Sequence, residues 1–503
     1  MATWPLLSVL IFLPLVGAVM IFFTGGDEEI AGRNARWVAL WTTFVAFVLA
    51  LLAWFSFEPS SADYQLVEDV EWLGGAISYT IGVDGISLLF VVLTTFLMPI
   101  CVIASWDSVR TRVKEFMITV LFLETVLIGL FCSLDLVLFY VFFQASLFPA
   151  FILLSTWGGE TRFHIAIKSF FFLFIGSGAL LIAVATIYWQ VGTTDLVAVE
   201  GHAFASDLQT WLWLAIFVAF AVAVPIWPFH TWMPDALEDG PSASAILITG
   251  ILIKVGIFGS LRFLIPLFPV ATEFFSPFVI GLSLVTVVYC ALAAMAQENL
   301  RRLIAYFSVA QMGVVFLGVF SASLQGIQGG IVLALSHGVV FAALIVCVSM
   351  IVHRLRTDDM RELGGLASQM PVLAGLFLVF LVGSVGIPGT SGFVGTFLTI
   401  VGTFYANPAA AIGVGIGLVI AGGFSAGLYR RVFAGNLDKE SVRSVLDLDA
   451  REVAGLTPLV LVTLFFGFYP APILDVTAPS IEKLLETYQM AIEAHATGSS
   501  VAE

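Results

Sequence analysis

Long apolar runs separated by short polar stretches dominate this chain. Fourteen of them reach the roughly 17 to 25 residues that a helix needs to cross a bilayer. The first seven run from Pro5 to Phe23, Trp37 to Phe57, Ile86 to Trp106, Phe116 to Leu134, Leu136 to Thr156, Ile165 to Trp189 and Leu208 to Val224. The second seven run from Ala243 to Leu261, Pro277 to Ala296, Leu303 to Phe320, Ile327 to His353, Val372 to Phe404, Ala409 to Phe433 and Leu456 to Leu474. The pattern predicts an all-α polytopic membrane protein of fourteen transmembrane helices. One stretch alternates instead: within the loop from Glu58 to Asp84, residues 64–82 read as a β-hairpin lying over one face. The tail from Ser480 begins helix-like and ends in Gly-Ser-Ser, the composition of a fraying terminus.

Two runs carry internal breaks. The seventh ends in Val224-Pro-Ile-Trp-Pro-Phe-His-Thr-Trp-Met-Pro-Asp235, with Pro225 and Pro228 at the interruption. The twelfth is interrupted by Val382-Gly-Ser-Val-Gly-Ile-Pro-Gly-Thr-Ser-Gly-Phe-Val-Gly395, around Pro388 and Gly389. Broken helices at matching places in two halves are a mark of inverted repeats, with ion sites beside the breaks. Each break falls in the fourth helix of a five-helix set if residues 116–263 form the first repeat and residues 277–433 the second. Residues 1–115 then hold three preceding helices and the hairpin, and residues 434–503 a last helix and tail.

Composition agrees with this reading: 60% of residues are hydrophobic and 11% charged, against about 25% charged in soluble domains. The net charge of −15 comes mostly from loops and the tail and suggests no nucleic-acid partner. Lys and Arg concentrate in alternate loops, as the positive-inside rule requires: Arg33 and Arg36, Arg110 to Lys114, Arg162, Arg301 and Arg302, Arg354 to Arg361, and Arg430 to Arg451. Arg262 and Lys483 belong to the poor side. That places both termini outside the cytoplasm. The first run lacks a basic leader and a cleavage site, so it reads as a retained helix. Cys101, Cys132, Cys290 and Cys347 are scattered through apolar runs without metal-ligand spacing and read as buried small hydrophobes.

Against this background Lys254 stands out, about a dozen residues into an otherwise apolar span. A charge at the bilayer centre costs about 2.5 to 3.5 kcal/mol on insertion scales and marks an ion or proton path by default. Further candidates are His337 in the eleventh run, Glu124 as the deep carboxylate of the fourth, and Lys168, which can pair with Glu124 or snorkel to the basic side. His230 and Asp235 border the first break, where they either hold the loop or line a water entry. Asp135, between the fourth and fifth runs, reads as a helix cap.

The residues then carry a resemblance. His230-Thr-Trp-Met-Pro-Asp-Ala236, Ala245-Ile-Leu-Ile-Thr-Gly-Ile-Leu-Ile-Lys254, Leu303-Ile-Ala-Tyr-Phe-Ser-Val-Ala-Gln-Met-Gly313, Leu335-Ser-His337-Gly and Gly386-Ile-Pro-Gly-Thr-Ser-Gly-Phe-Val-Gly395 resemble the antiporter-like M subunits of bacterial respiratory complex I, NADH:quinone oxidoreductase. The resemblance runs to Tyr469-Pro-Ala-Pro472, essentially the whole chain. It implies proton translocation coupled to quinone reduction elsewhere in the complex, and a multi-pass place in the bacterial inner membrane. L-, N- and K-type membrane subunits and phospholipid are the implied partners. No motif for flavin, iron–sulfur or nucleotide binding occurs, so no cofactor and no redox step are expected on this chain.

Four axis positions depart from the family pattern. Gln144 stands where the resemblance implies a glutamate, Ala223 for a lysine, Gln311 for a histidine and Thr396 for a glutamate, while Leu237 replaces a loop histidine. Of the axis residues only Lys254 and His337 remain ionisable. A group that passes protons needs a pKa that its surroundings can move, and Gln144 with Ala223 cannot form the switching pair. Three functions therefore stay open: weakened proton translocation, a subunit of a multisubunit sodium/proton antiporter, and a proton-inert structural segment.

Overall fold

The computed structural model describes residues 4–72, 77–200, 202–435 and 440–499. In chain order it forms α1 (Leu6–Phe22), α2 (Glu28–Ser56), β1 (Gln65–Trp72), β2 (Ile77–Val83), α3 (Ser87–Ala104), α4 (Val113–Cys132), α5 (Leu136–Trp157), α6 (Arg162–Val191) and α7 (Ser206–Ala223). There follow α8 (Trp232–Asp239), α9 (Ser242–Leu267), α10 (Pro269–Met295), α11 (Leu300–Val319), α12 (Leu324–Leu355), α13 (Pro371–Val385), α14 (Ser391–Ala406), α15 (Pro408–Val432), α16 (Ala450–Phe468) and α17 (Ala471–Ser499). Among the described residues twelve of these are long and apolar enough to cross a membrane, and α1, α13 and α14 are shorter apolar helices. The chain is thus a helical, multi-pass membrane protein.

Polar residues at the helix starts explain where the apolar runs become helices. Asp135 accepts from the backbone N–H groups of Val137 and Leu138 at 2.8 and 2.9 Å, and Asn299, Ser323 and Asn407 cap α11, α12 and α15 in the same way. Asp449 and Glu452 form a reciprocal capping box that starts α16 six residues before the apolar run begins. That helix stops at Phe468, ahead of Pro470, so the last predicted span to Leu474 is divided between α16 and α17. α17 then continues to Ser499, beyond the fraying point read from its composition.

Both breaks are present. After Ala223 the chain passes Pro225 and Pro228 into a short 3-10 turn, Phe229–Thr231, before α8 resumes. Gly386, at φ +79°, closes α13, Gly389 sits at φ +92°, and Pro388 cannot continue a helix. A Cβ on Gly392 would lie 2.0 Å from the Gly383 carbonyl oxygen, so only glycine lets the two half-helices approach so closely.

The central stretches of α9 and α12 are fully buried, whereas in α2, α6 and α16 fewer than half of the residues of the apolar stretch are buried. The arginine-bearing loops knit into one face. Arg36 donates to the Val109 carbonyl at 2.8 Å, Arg301 to that of Glu238 at 3.2 Å and Arg354 to that of Leu446 at 3.1 Å. Lys439 lies outside the described residues. The opposite face carries the predicted hairpin: β1 and β2 pair antiparallel, with Glu68 opposite Ile81. The turn between them, 73–76, lies outside the described residues. Glu68 accepts from the Leu7 N–H at 2.8 Å, tying the hairpin to the start of α1. Lys483 of α17 reaches Asp63 at 2.9 Å, and Ser480 accepts from the Gly85 N–H at 3.2 Å. The hairpin and the beginnings of α1 and α17 therefore share this second face.

Candidate functional site

The centre of the molecule is set by an irregularity in α9. It contains two π-helical turns, Ile248–Leu252 and Ser260–Leu264, a distortion that frequently marks functional positions. Lys254 follows the first. Its side chain is wholly buried, and its Nζ donates to the Thr249 carbonyl oxygen at the start of that turn. Nζ also lies 2.7 Å from His337 Nδ1 on α12. His337 Nε2 is 2.9 Å from the Ser308 hydroxyl on α11, and the imidazole stacks on Phe341 with centroids 4.2 Å apart.

Close helix packing makes this contact. A Cβ on Gly338 would lie 2.9 Å from the Gly250 carbonyl oxygen, so α9 and α12 touch backbone to backbone beside the Lys254–His337 pair. One turn beyond Ser308 on the same helix, Gln311 donates from Nε2 to the Ser384 carbonyl at 2.6 Å, in the last turn of α13. Thr396 lies across the second break, its hydroxyl 3.3 Å from where a Gly386 Cβ would stand. Lys254, His337 and Ser308 are joined by hydrogen bonds, and the buried Gln311, Thr396 and the threonines that follow it on α14 extend this polar file past the break around Pro388 and Gly389.

Several polar atoms of this file have no partner within the protein: Gln311 Oε1 and the hydroxyls of Thr396, Thr399 and Thr403. Thr94, Thr286 and Thr463 return the hydroxyl to the carbonyl four residues back at 2.7 to 2.8 Å, while Thr125 and Thr249 stand singly without a partner. The three on α14 do not, and their spacing puts them on one side of that helix. The row leads from the break toward the hairpin face, where Gly402 abuts Gly326 and where Ser321 and Ser323 lie 3.0 Å apart. A buried hydroxyl left unpaired costs about 1 to 3 kcal/mol, so such a row is a natural seat for water.

The other half is poorer. Gln144 keeps an unpaired Oε1, and Ala223 is buried at the end of α7 with no polar atom to offer. Glu124 is completely buried, and neither carboxylate oxygen has a partner. The pairing of Lys168 with Glu124 is not found. Lys168 binds Asp235 at 2.6 Å and the Thr231 carbonyl at 2.9 Å, because α6 runs beside the loop after the first break. Arg302 adds to that network through Asp235 at 3.4 Å and Glu238 at 3.1 Å. Asp235, in α8 rather than in a loop, accordingly ties the segment after the break to α6 and α11. His230 is buried between the rings of Tyr289 and Tyr306, at 5.4 and 6.3 Å, with Nδ1 unpaired, and it touches neither Lys254 nor His337. Pro225 and Pro228 interrupt the seventh run as read from the sequence, and the four cysteines are buried and free.

One position is corrected. Arg262 is not in a loop but inside α9, at the second π turn, and its side chain is 11% exposed. It pairs with Asp84, donates to the Tyr64 hydroxyl at 3.2 Å and lies over the Phe258 ring at 5.5 Å. Burial pushes the nearby Glu200 carboxyl up, against the pull of Arg262. Only the position of Asp84 just before α3 hinted at this pair.

Residues 133–421 match the family model for NADH:quinone oxidoreductase/Mrp antiporter transmembrane proteins, and residues 30–130 match that for the amino terminus of NADH-ubiquinone oxidoreductase chain 4. The NADH-quinone oxidoreductase subunit M of Rhodobacter capsulatus is 44% identical over 497 residues, covering 96% of this chain and 97% of that one. The chain belongs to the complex I subunit M family. NADH-ubiquinone oxidoreductase chain 4 of Marchantia polymorpha is 40% identical over 95% of this chain and 97% of its own length. A chain of respiratory complex I from Thermus thermophilus superposes with a TM-score of 0.86 at 29% identity, over 95% of this chain and 99% of that one. The fold extends to a chain of the Mrp complex of a Dietzia species, with a TM-score of 0.84 at 21% identity over 97% and 100% of the two chains. Membership of the family makes this chain a subunit of NADH-quinone oxidoreductase.

Proposed function

We propose that this subunit moves protons across the membrane arm of complex I by a reduced relay made of Lys254, His337, Ser308 and water, and that its throughput is weakened by its neutral axis positions. The carrying observation is the 2.7 Å contact between Lys254 Nζ and His337 Nδ1. A protonated lysine has three donors. One goes to the Thr249 carbonyl and one to His337 Nδ1, and in that state the imidazole carries its hydrogen on Nε2, toward Ser308. Transfer of the proton from Nζ to Nδ1 leaves a neutral amine and an imidazolium, which returns to neutrality by giving its Nε2 proton toward Ser308 and the Gln311–Thr396 file. Each of these two transfers moves one proton between hydrogen-bonded atoms, Ser308 releasing its own hydroxyl proton to water as it takes that of Nε2. The unpaired hydroxyls of α14 supply the continuation, since Gln311 and the threonines orient water but hold no excess proton.

In the rest of this reading the chain crosses the membrane fourteen times. Residues 116–263 and 277–433 are two inverted five-helix repeats, the arginine-rich face is cytoplasmic, and both termini are periplasmic in a bacterial inner membrane. Other membrane-arm subunits of the L, N and K types and phospholipid are its neighbours, and the redox cofactors reside elsewhere in the complex. The Mrp likeness concerns fold, so co-purification with quinone-reducing rather than antiporter subunits separates the two assemblies. The direct test is the number of protons pumped per NADH in vesicles holding the complex with this chain, beside the variant Gln144→Glu, Ala223→Lys, Gln311→His, Thr396→Glu. A lower ratio for the natural chain, recovered in the variant, is expected. Equal ratios would overturn the weakening.

A further inference from the structure

We infer that a furrow along α2, α3 and α16 is a binding site for one phospholipid with a zwitterionic phosphoethanolamine headgroup, anchored at the arginine-rich face with an acyl chain laid along the furrow. Three cavities lie end to end there. The first, about 290 Å3, opens at the arginine-rich face among Asp107, Arg354, Asp449, Arg451 and Glu452. The second, about 390 Å3, is lined by Trp41, Phe44, Phe47 and Phe96 and shares Ile100, Ile103 and Gly455 with the first. The third, about 250 Å3, shares Phe47 and Phe96 with the second and continues to Leu89. From Ile103 to Leu89 the furrow follows α3 for about 21 Å at 1.5 Å per residue, longer than the ~15 Å of half a hydrocarbon core.

Shape and charge select the occupant. The upper and lower lobes are apolar, and Trp41 and Phe44 stand at their rim 60% and 47% exposed. A neighbouring helix, about 10 to 12 Å across with its side chains, would rest on that rim and leave the polar mouth unmatched. The mouth carries both signs: Arg354 pairs with Glu452 at 2.6 Å, and Arg451 pairs with Asp107 and with Asp449 at 3.4 Å. A phosphate suits the guanidinium forks, and an ammonium with N–H donors suits the carboxylates beside them. A purely anionic headgroup would meet the carboxylates, and choline has no N–H to give them. Gly455 keeps the passage open between mouth and upper lobe, since a Cβ there would already stand 3.2 Å from Ile103 Cγ2.

The test uses the assembled complex in vesicles containing phosphatidylethanolamine with a photoactivatable acyl chain, the labelled peptides being mapped by mass spectrometry. Labelling is expected to concentrate on the segments around Phe44, Phe96 and Gly455, to compete with unlabelled phosphatidylethanolamine, and to resist the phosphatidylglycerol and phosphatidylcholine forms. Gly455→Phe should lower labelling there at least fivefold, and Asp107→Asn should erase the headgroup preference while leaving the furrow occupied. Should Gly455→Phe fail to assemble, the headgroup competition on the unaltered complex decides alone. Labelling no denser than on the exposed face of α6, a preference for phosphatidylglycerol, or crosslinks from the furrow to a neighbouring subunit would each overturn the assignment. None of these readouts depends on proton pumping.

Discussion

Two buried cations lie on the same helix, eight residues or about 12 Å apart, Lys254 just after one π turn and Arg262 within the other, and their surroundings are opposites. Arg262 has a carboxylate, a phenol and an aromatic face around it. Lys254 has a carbonyl and an imidazole, with no carboxylate in contact. An arginine stays protonated in proteins, and a carboxylate partner fixes it further, so Arg262 is a bolt between α9 and the hairpin that precedes α3. A lysine whose partners are neutral, with an imidazole among them that can itself accept the proton, holds its charge loosely. The difference separates structural from transporting charge where composition and burial alone cannot, because both side chains are deeply buried.

The largest effect should come from replacing the loose cation by a fixed one. Lys254→Arg keeps the positive charge and removes the exchangeable proton. We expect proton pumping by this subunit to fall as far as in Lys254→Ala, with assembled complex still present, as read from proton-to-NADH ratios and native gels. Pumping retained in the arginine variant would mean that Lys254 acts as a static charge, like Arg262.

The reverse outcome is expected at the other cation. Arg262→Ala leaves Asp84 buried without its partner, and breaking one side of such a pair costs about 3 to 5 kcal/mol. The loss should appear as lowered thermal stability and yield of the complex, while each complex that does assemble pumps normally. Loss of pumping without loss of stability would place Arg262 in the path.

His337→Phe should rank next. The phenyl ring can keep the stack on Phe341, at 4.2 Å in the natural protein, but joins neither Lys254 nor Ser308. Flux should fall less than with Lys254→Arg, since water can replace an imidazole between Nζ and Ser308 more readily than anything can replace the amine. Stability should fall by about 1 to 3 kcal/mol, because Ser308 and one donor of Lys254 lose their partner in a buried site. A flux equal to that of the natural chain would remove the histidine from the relay.

How much of this was legible before folding follows from the same contrast. The helical, multi-pass character, both breaks, the two strands of the hairpin and Lys254 are written in local patterns of hydrophobicity, Pro and Gly, and appear in the structure, with twelve of the fourteen expected spans long and apolar enough to cross among the described residues. The partnership of Lys254 and His337 spans 83 residues, and only the resemblance to the family placed both on one axis. Arg262 was misread because a charge one residue past a soft boundary looks like a loop residue until its partner is seen. Lys168 was offered the wrong carboxylate, since sequence gives depth along a helix but not the neighbour it faces, and that neighbour was Asp235. Ser308, Thr399 and Thr403 carried no signal at all. Hydroxyls are common in membrane helices, and only the absence of a backbone partner distinguishes these from Thr94 or Thr463.

That absence gives the smallest and most discriminating test. If Thr399 and Thr403 face dry protein, Thr→Val at either position removes an unpaired hydroxyl and should stabilise the complex by about 1 to 3 kcal/mol. If water joins the row, the same change removes a hydrogen-bonding site. Stability should then hold or fall by about 1 kcal/mol, and flux should drop modestly, more in the double variant than in either single one. Thr463→Val serves as the reference, because that hydroxyl is already spent on the Leu459 carbonyl at 2.7 Å and lies outside the file. A double variant that is more stable than the natural chain and pumps equally would end the hydrated row at Thr396 and require another outlet for the proton that leaves His337.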